Sequence, residues 1–223
     1  MTGDELLGPH GHERSDDTPD AQVYETPRMV AHIDETAITE TTAIYRQILA
    51  PIAPGGRVLD LMSSRYSHLP DDLPLAEVVG LGMNTDELAE NPQLTSWVVH
   101  DLNVNPQLPF DDESFDAALN TVSVQYLQQP VAVFAAVARV LRPGAPHAVV
   151  FSHRCFPTKA IRAWLERNDE GHVALVSAYF EATALFEPVE VIRHPGHPAR
   201  WPWESSSDPL YAVIGRRADK GTG

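Results

Sequence analysis

Cysteine is almost absent from this sequence, since Cys155 is the one thiol among 223 residues. A single cysteine excludes a disulfide scaffold and any zinc site made of several cysteines. His194 and His197 are close enough in sequence to share a metal ion, but no third ligand stands near them. We therefore predict a loop at these histidines and no metal site.

Basic residues are scarce as well. The chain has 16 lysines and arginines against 31 aspartates and glutamates, which gives a formal net charge of −15. A strongly acidic surface repels phosphate backbones and anionic lipids, so binding to nucleic acid or to a membrane surface is disfavoured. A local basic pocket is still compatible with this balance.

Long apolar runs are missing too. The most apolar stretch, residues 131–141, is too short to span a bilayer and contains Arg139. The first residues have neither the basic cluster nor the apolar core of a signal peptide. Hydrophobic residues nevertheless make up 43% of the chain, enough for a sizeable core. We therefore expect a soluble, cytoplasmic protein.

Composition divides the chain into three parts. Residues 1–29 are rich in Gly, Pro, Asp, Glu and His and show no apolar period, so we predict a disordered acidic tail. Residues 30–217 carry the periodic patterns of one folded domain, and residues 218–223 form a second short tail.

Helical periodicity alternates with short apolar runs through this domain. Residues 31–49 and 131–141 repeat apolar side chains at three- and four-residue steps, which predicts amphipathic helices. Such alternation is typical of a doubly wound α/β fold, here a seven-stranded, mostly parallel, Rossmann-like sheet with a C-terminal antiparallel hairpin. Ligands bind such sheets beyond the carboxyl ends of the strands. The predicted strands are 57–62, 77–81, 97–99, 115–120, 147–152, 190–192 and 210–214.

Five strings at these strand ends and at the helix that follows resemble one enzyme family. In their order and spacing they are similar to class I S-adenosylmethionine-dependent methyltransferases, in particular to the type 11 methyltransferase domain. A nicotinamide dehydrogenase is the main alternative, but no G-x-G-x-x-G follows any strand. The strings are VLDLMSS (58–64), VVGLGMN (78–84), VVHDLN (98–103), LPFDDESFDAALNTVSVQYL (108–127) and RVLRPGA (139–145).

The resemblance implies a cofactor site for S-adenosylmethionine, with two altered turns. Asp60 matches the acid that ends the first strand, but Met62, Ser64 and Tyr66 stand where the family has glycines, with Ser63 between the first two. Gly82 takes the place of the carboxylate that holds the ribose in the family. Asn84 could offer an amide instead, and Met83 would cover the adenine.

The third and fourth strands match the family more closely. Asp101 corresponds to the acid that accepts from the adenine amino group, and the backbone N–H of Leu102 would bond a ring nitrogen. Asn120, Thr121 and Ser123 correspond to the stretch under the methionine part of the cofactor. The predicted function is S-adenosylmethionine-dependent methyl transfer to a small-molecule acceptor. The alternative, kept open by the two altered turns, is a non-catalytic methyltransferase-like module that no longer binds the cofactor.

The loop of residues 152–159 supplies candidate catalytic groups. Its cationic character is unusual in so acidic a chain, and it follows the fifth strand, where the family binds its acceptor. We predict that this loop, with Arg154 among its cationic groups, receives an anionic acceptor and that His153 acts as a base. The alternative is a turn and cap leading into the next helix.

Three further features each have two interpretations. His32 and Asp34 could close a lid over the site, or cap the first helix, which we favour. Cys155 is more typical of a buried, inert thiol than of a nucleophile. Trp201 and Trp203 would either cover the pocket edge or pack under the hairpin.

Overall fold

The computed structural model describes residues 3–197 and 206–219. Their core is one seven-stranded sheet, in which the order of strands is β3-β2-β1-β4-β5-β7-β6. The strands are β1 Arg57–Leu61, β2 Glu77–Gly82, β3 Ser96–Val99, β4 Ala117–Thr121, β5 Pro146–Phe151, β6 Glu190–His194 and β7 Leu210–Arg216.

The first five strands run parallel to one another, and β7 pairs antiparallel with both β5 and β6. The central strands are short apolar runs because helices cover both of their faces. The predicted doubly wound sheet with a C-terminal antiparallel hairpin is therefore confirmed. Because the strand order reverses between β1 and β4, the topological switch point lies at their carboxyl ends.

Seven helices lie around the sheet in the described ranges, and two short 3-10 turns, Ala50–Ile52 and Val124–Tyr126, accompany them. On one face Tyr45 and Leu49 of α3 pack against the sheet. On the other face α5 and α7 pack together through Phe134 and Phe180. The helices are α1 Gly3–Leu7, α2 Asp20–Val23, α3 Glu35–Leu49, α4 Thr85–Ala89, α5 Pro130–Val140, α6 Arg162–Leu165 and α7 Asp169–Thr183.

The N-terminal residues correct one prediction. From residue 3 onward they are not a disordered tail but an ordered segment with two short helices, packed on the domain. Asp20 is buried and accepts hydrogen bonds from the Arg14 guanidinium, and Lys159 lies 3.0 Å from it. Burial alone would raise the pKa of Asp20, but hydrogen bonds from Arg14, Asn103 and Lys159 outweigh it and lower that pKa. Composition misses this segment because polar contacts rather than apolar periodicity hold it.

Several other predictions concern the chain ends. Trp201 and Trp203 lie outside the described residues. His194 pairs with Glu40, with 3.4 Å between Nδ1 and Oε2. Within residues 3–197 and 206–219, no cluster of three metal-ligating side chains occurs. In the same ranges no helix has both the length and the apolar character needed to cross a bilayer.

Candidate functional site

A cavity of about 730 Å³ opens at the carboxyl ends of the parallel strands. This volume lies within the range of small-molecule sites, roughly 300–1,000 Å³. The structure brings twelve of the thirteen predicted site residues to its wall. They are Asp60, Met62, Ser63, Ser64, Gly82, Met83, Asn84, Asp101, Leu102, Ser123, His153 and Arg154.

Asn120 is the exception. It lies in the interior, 1% exposed, and is not part of the cavity wall. Its Oδ1 accepts a hydrogen bond from Ser123 Oγ at 3.1 Å, while its Nδ2 is buried with no partner. The side chain of Asn120 thus positions Ser123 rather than facing a ligand.

The turn after β1 keeps a glycine-like backbone without its glycine. Met62 has a φ of 57°, in the left-handed region that glycine adopts at least cost. Asp60 stabilises the turn, because its Oδ2 accepts hydrogen bonds from the hydroxyls of Ser63 and Ser67. Burial raises the pKa of Asp60 to about 6, against these two hydrogen bonds, which lower it.

The two bulky residues of this turn leave the cavity open. Met62 and Tyr66 both line the cavity, and its volume of about 730 Å³ is measured with both side chains in place. Tyr66 is 43% exposed, and its ring stacks on His68 with 6.3 Å between the ring centroids. The side chains that replace the family's glycines therefore stand at the wall and do not fill the site.

The absence of an acid at Gly82 has a steric cause. A Cβ added there would lie 2.1 Å from the carbonyl oxygen of Ser63. The two backbones approach this closely because the N–H of Ser63 donates to the carbonyl of Leu81 at 2.8 Å. The turn after β1 therefore occupies the space that a carboxylate side chain at position 82 would need.

Asn84 does not take over that role, which corrects the prediction for its amide. Its Oδ1 caps α4 by accepting from the N–H groups of Asp86 and Glu87. Its Nδ2 donates to the carbonyls of Tyr24 and Glu25. Both ends of the amide are therefore used, one by the helix and one by the N-terminal segment.

Glu87 is a cavity residue that the sequence analysis missed. Its side chain lies at the wall with an exposed fraction of 6% for the residue. Oε1 accepts from the backbone N–H of Arg28 at 2.6 Å, and Oε2 accepts from the hydroxyl of Ser64. An acid in the first turn of a helix normally indicates a solvated, dipole-favoured position, so no signal in the sequence marked it.

Asp101 follows β3 and stands at the cavity wall as predicted. Its Oδ1 accepts from the backbone N–H groups of Asn103 and Val104, at 2.9 and 3.3 Å. These contacts leave the second carboxylate oxygen for a ligand. Leu102 beside it is 4% exposed and lines the same wall.

Backbone strain concentrates at this cavity. Six non-glycine residues of the described ranges have positive φ. Four of them line the cavity: His32, Met62, His68 and Val122. Such conformations cost of order 1–3 kcal/mol each and gather at functional sites, where the surrounding structure holds them. The clustering marks this cavity independently of any family pattern.

The loop after β5 brings His153 and Arg154 to the wall, but both face a carboxylate. Arg154 Nε lies 2.6 Å from Asp208 Oδ2, and His153 Nε2 lies 3.8 Å from Oδ1 of the same residue. Asp208 is 8% exposed and its backbone N–H donates to Asp34. The cationic character expected of this loop is therefore balanced internally. The roles of His153 and Arg154 in catalysis remain predictions.

The preferred interpretation of Asp34 is confirmed. Its Oδ1 accepts from the N–H of Ala37 at 2.8 Å and so caps α3. His32 does not share this role. It lines the cavity, with its ring against Phe156 at a centroid distance of 5.7 Å.

Burial lowers the pKa of two imidazoles at the cavity wall. It lowers the pKa of His68 to about 4, with a further contribution from His32. Burial also lowers the pKa of His32. Cys155 lines the cavity as a half-buried thiol whose pKa is raised by burial, which agrees with an inert cysteine.

Residues 63–149 match the family model described as "Methyltransferase domain". A Penicillium fellutanum protein, "Methyltransferase phqN", is 29% identical over 152 residues, which are 60% of this chain and 47% of that protein. The resemblance to methyltransferases that the sequence predicted is therefore confirmed. The chain spans about half the length of this relative.

Solved structures share the fold. The geranyl diphosphate C-methyltransferase of Streptomyces coelicolor A3(2), in complex with Mg²⁺, geranyl diphosphate and S-adenosyl-L-homocysteine, has a TM-score of 0.57 at 12% identity. The alignment covers 91% of this chain and 100% of that one. Haemonchus contortus phosphoethanolamine N-methyltransferase 2, in complex with S-adenosyl-L-methionine, has a TM-score of 0.55 at 14% identity, over 81% and 52% of the two chains. This chain therefore has the fold of enzymes solved with S-adenosyl-L-homocysteine and with S-adenosyl-L-methionine.

Proposed function

We propose that this methyltransferase transfers a methyl group from S-adenosylmethionine to a small-molecule acceptor. The observation that carries the proposal is the open cavity at the strand ends, which persists although Met62 and Tyr66 replace two glycines. Methyltransferases with the same architecture have been solved with S-adenosylmethionine and with geranyl diphosphate, both small ligands. The net charge of −15 favours such a ligand over nucleic acid.

The residues of the cavity fit this cofactor. Asp101 has a free carboxylate oxygen for the adenine amino group, and Leu102 lies beside it. We assign the binding of the ribose hydroxyls to Glu87. Position 82 has no room for an acidic side chain, and the amide of Asn84 already makes hydrogen bonds within the protein. A carboxylate accepts about four hydrogen bonds, and two donors reach Glu87 within the protein.

Methyl transfer requires little chemistry from the protein itself. When bound, S-adenosylmethionine supplies an electrophilic methyl group on a sulfonium. The chain's own contribution is to orient the acceptor and to exclude water, and residues of the N-terminal segment such as Tyr24 and Arg28 line the cavity for this purpose. The imidazoles of His32 and His68 line this cavity, where they can take a proton from an acceptor that must lose one.

Calorimetry with S-adenosylmethionine and S-adenosylhomocysteine tests the proposal. We expect both to bind the wild-type protein, and Asp101→Ala to weaken binding by about tenfold, which corresponds to about 1.4 kcal/mol. Asp111→Ala removes an exposed acid outside the cavity and serves as the matched control. Absence of heat at high micromolar ligand would refute the proposal.

That negative result would favour the second candidate, a non-catalytic binding module. The lack of a carboxylate at Gly82 is the observation that supports this second candidate. A thermal-shift screen of metabolites, with and without S-adenosylhomocysteine, distinguishes the two. A methyltransferase gains affinity for its acceptor when the nucleoside is present, whereas a module without a cofactor site gives the same shifts in both series.

A further inference from the structure

Arg28 places a guanidinium at the cavity wall between two aromatic rings. Its Cζ lies 5.0 Å from the ring centroid of Tyr24 and 5.3 Å from that of Phe156. Both distances are within the range of cation–π attraction. The two rings also shield part of the guanidinium from water, so the charge is partly desolvated.

This guanidinium has few acceptors of its own. It carries five N–H donors, and its hydrogen bond within the described ranges runs from Nη2 to the carbonyl of Val23 at 3.1 Å. Nη1 is buried without an acceptor. A buried donor left unpaired is unfavourable, because it has given up its hydrogen bonds to water. A ligand that supplies acceptors to this group would therefore gain binding free energy.

The other fixed cation at the wall is already neutralised. Arg154 lies 2.6 Å from the carboxylate of Asp208, whereas none of the ion pairs found in residues 3–197 and 206–219 includes Arg28. The contact between Arg28 and the carboxylate of Glu87 is made by the backbone N–H of Arg28 and not by its guanidinium. Arg28 is therefore the arginine at this wall whose charge has no carboxylate partner within the described part of the chain.

We propose that Arg28 receives the anionic group, a carboxylate or a phosphate, of a ligand bound in the cavity. The planar fork of a guanidinium matches the geometry of both groups. Tyr24, Phe156 and Tyr126 form an aromatic wall around it, which suits a ligand with a flat or apolar body. This assignment rests on the proposed function but moves the anion-binding role from Arg154 to Arg28.

Two sources can supply the anion: the carboxylate of the cofactor's methionine part, or the acceptor. The first arm of the test measures the cofactor source by calorimetry. S-adenosylhomocysteine and 5′-methylthioadenosine share the nucleoside, but the second lacks the carboxylate. If Arg28 binds the carboxylate of the cofactor, Arg28→Met weakens the binding of S-adenosylhomocysteine at least tenfold and leaves the binding of 5′-methylthioadenosine unchanged.

The second arm measures the acceptor source with a flat probe anion. Benzoate and its neutral counterpart benzamide are titrated into the wild-type protein and the variant, with and without saturating S-adenosylhomocysteine. If Arg28 holds the acceptor, the wild type prefers benzoate at least tenfold and Arg28→Met abolishes that preference. Benzamide affinity stays the same, which separates the loss of an anion site from a displaced N-terminal segment.

Two controls complete the experiment. Arg28→Lys keeps the charge without the fork and should retain part of the preference for the anion. Arg193→Met removes an exposed arginine paired with Glu170 and should change neither arm. The proposal is overturned if Arg28→Met alters neither ratio. Failure of the wild type to bind S-adenosylhomocysteine would instead refute the proposed function, while the benzoate arm without nucleoside would still test Arg28.

Discussion

The carboxyl ends of β2 and β3 lie side by side in the sheet but supply their carboxylates differently. Asp101 comes two residues after the end of β3, and its side chain stands at the cavity wall. β2 ends in Gly82, and the nearest carboxylate downstream at the wall comes from Glu87, five residues later on α4. The space that a neighbouring turn leaves beside a strand end therefore decides whether the residue there can carry an acidic side chain.

The largest expected effect comes from restoring an acid at the end of β2. Gly82→Asp forces a Cβ against the carbonyl oxygen of Ser63, so the backbone must move. We expect the free energy of unfolding to fall by about 3 kcal/mol, at the upper end of overpacking costs. Chemical denaturation measures this loss. A stable variant that binds S-adenosylhomocysteine more tightly would show that the approach of the two backbones is not limiting.

The acid of β1 offers a second comparison, because Asp60 is buried whereas Asp101 is partly accessible. The pKa of Asp60 is raised to about 6 in the folded state. Its contribution to stability is therefore fully present below the unfolded value near 3.8 and is lost as the pH rises through 6. Between these values the change amounts to about 3 kcal/mol.

Asp60→Asn removes this pH dependence and keeps an acceptor for Ser63 and Ser67. We expect the variant to be more stable than the wild type at pH 8, with the difference shrinking as the pH falls from about 6 to about 4. Denaturant unfolding at several pH values measures it. Asp101→Asn is the control, and an equal shift in that variant would contradict the assignment to burial.

The smallest of these effects concerns the ribose contact assigned to Glu87. Glu87→Gln should weaken the binding of S-adenosylhomocysteine by about 1.5 kcal/mol, which is the lower end of the range for hydrogen bonds to a charged group. Adenosine and 2′,3′-dideoxyadenosine sharpen the comparison, because only the first has the ribose hydroxyls. The variant should lose the preference for adenosine, and Asp86→Asn, an exposed acid on the same helix, should retain it. An unchanged preference in Glu87→Gln would leave Glu87 as a support for the N-terminal segment alone.

The sheet, the helix faces and the resemblance to methyltransferases could all be predicted from the sequence. Apolar runs such as residues 58–61 must be buried wherever they lie, and helical periodicity is local, so both are visible without tertiary contacts. The cap at Asp34 belongs to the same class, because its partner Ala37 is three residues away. The wall positions of residues at the strand ends follow from topology alone.

Only the tertiary structure decided which of these residues are still free to bind a ligand. The Arg154 charge is neutralised by Asp208, and Glu87 is buried because the backbone of Arg28 reaches it from the N-terminal segment. The space beside Gly82 is taken by a turn nineteen positions earlier in the chain. These pairings join residues far apart in sequence through polar and steric contacts. Such contacts leave no periodic trace, so composition and spacing do not reveal them.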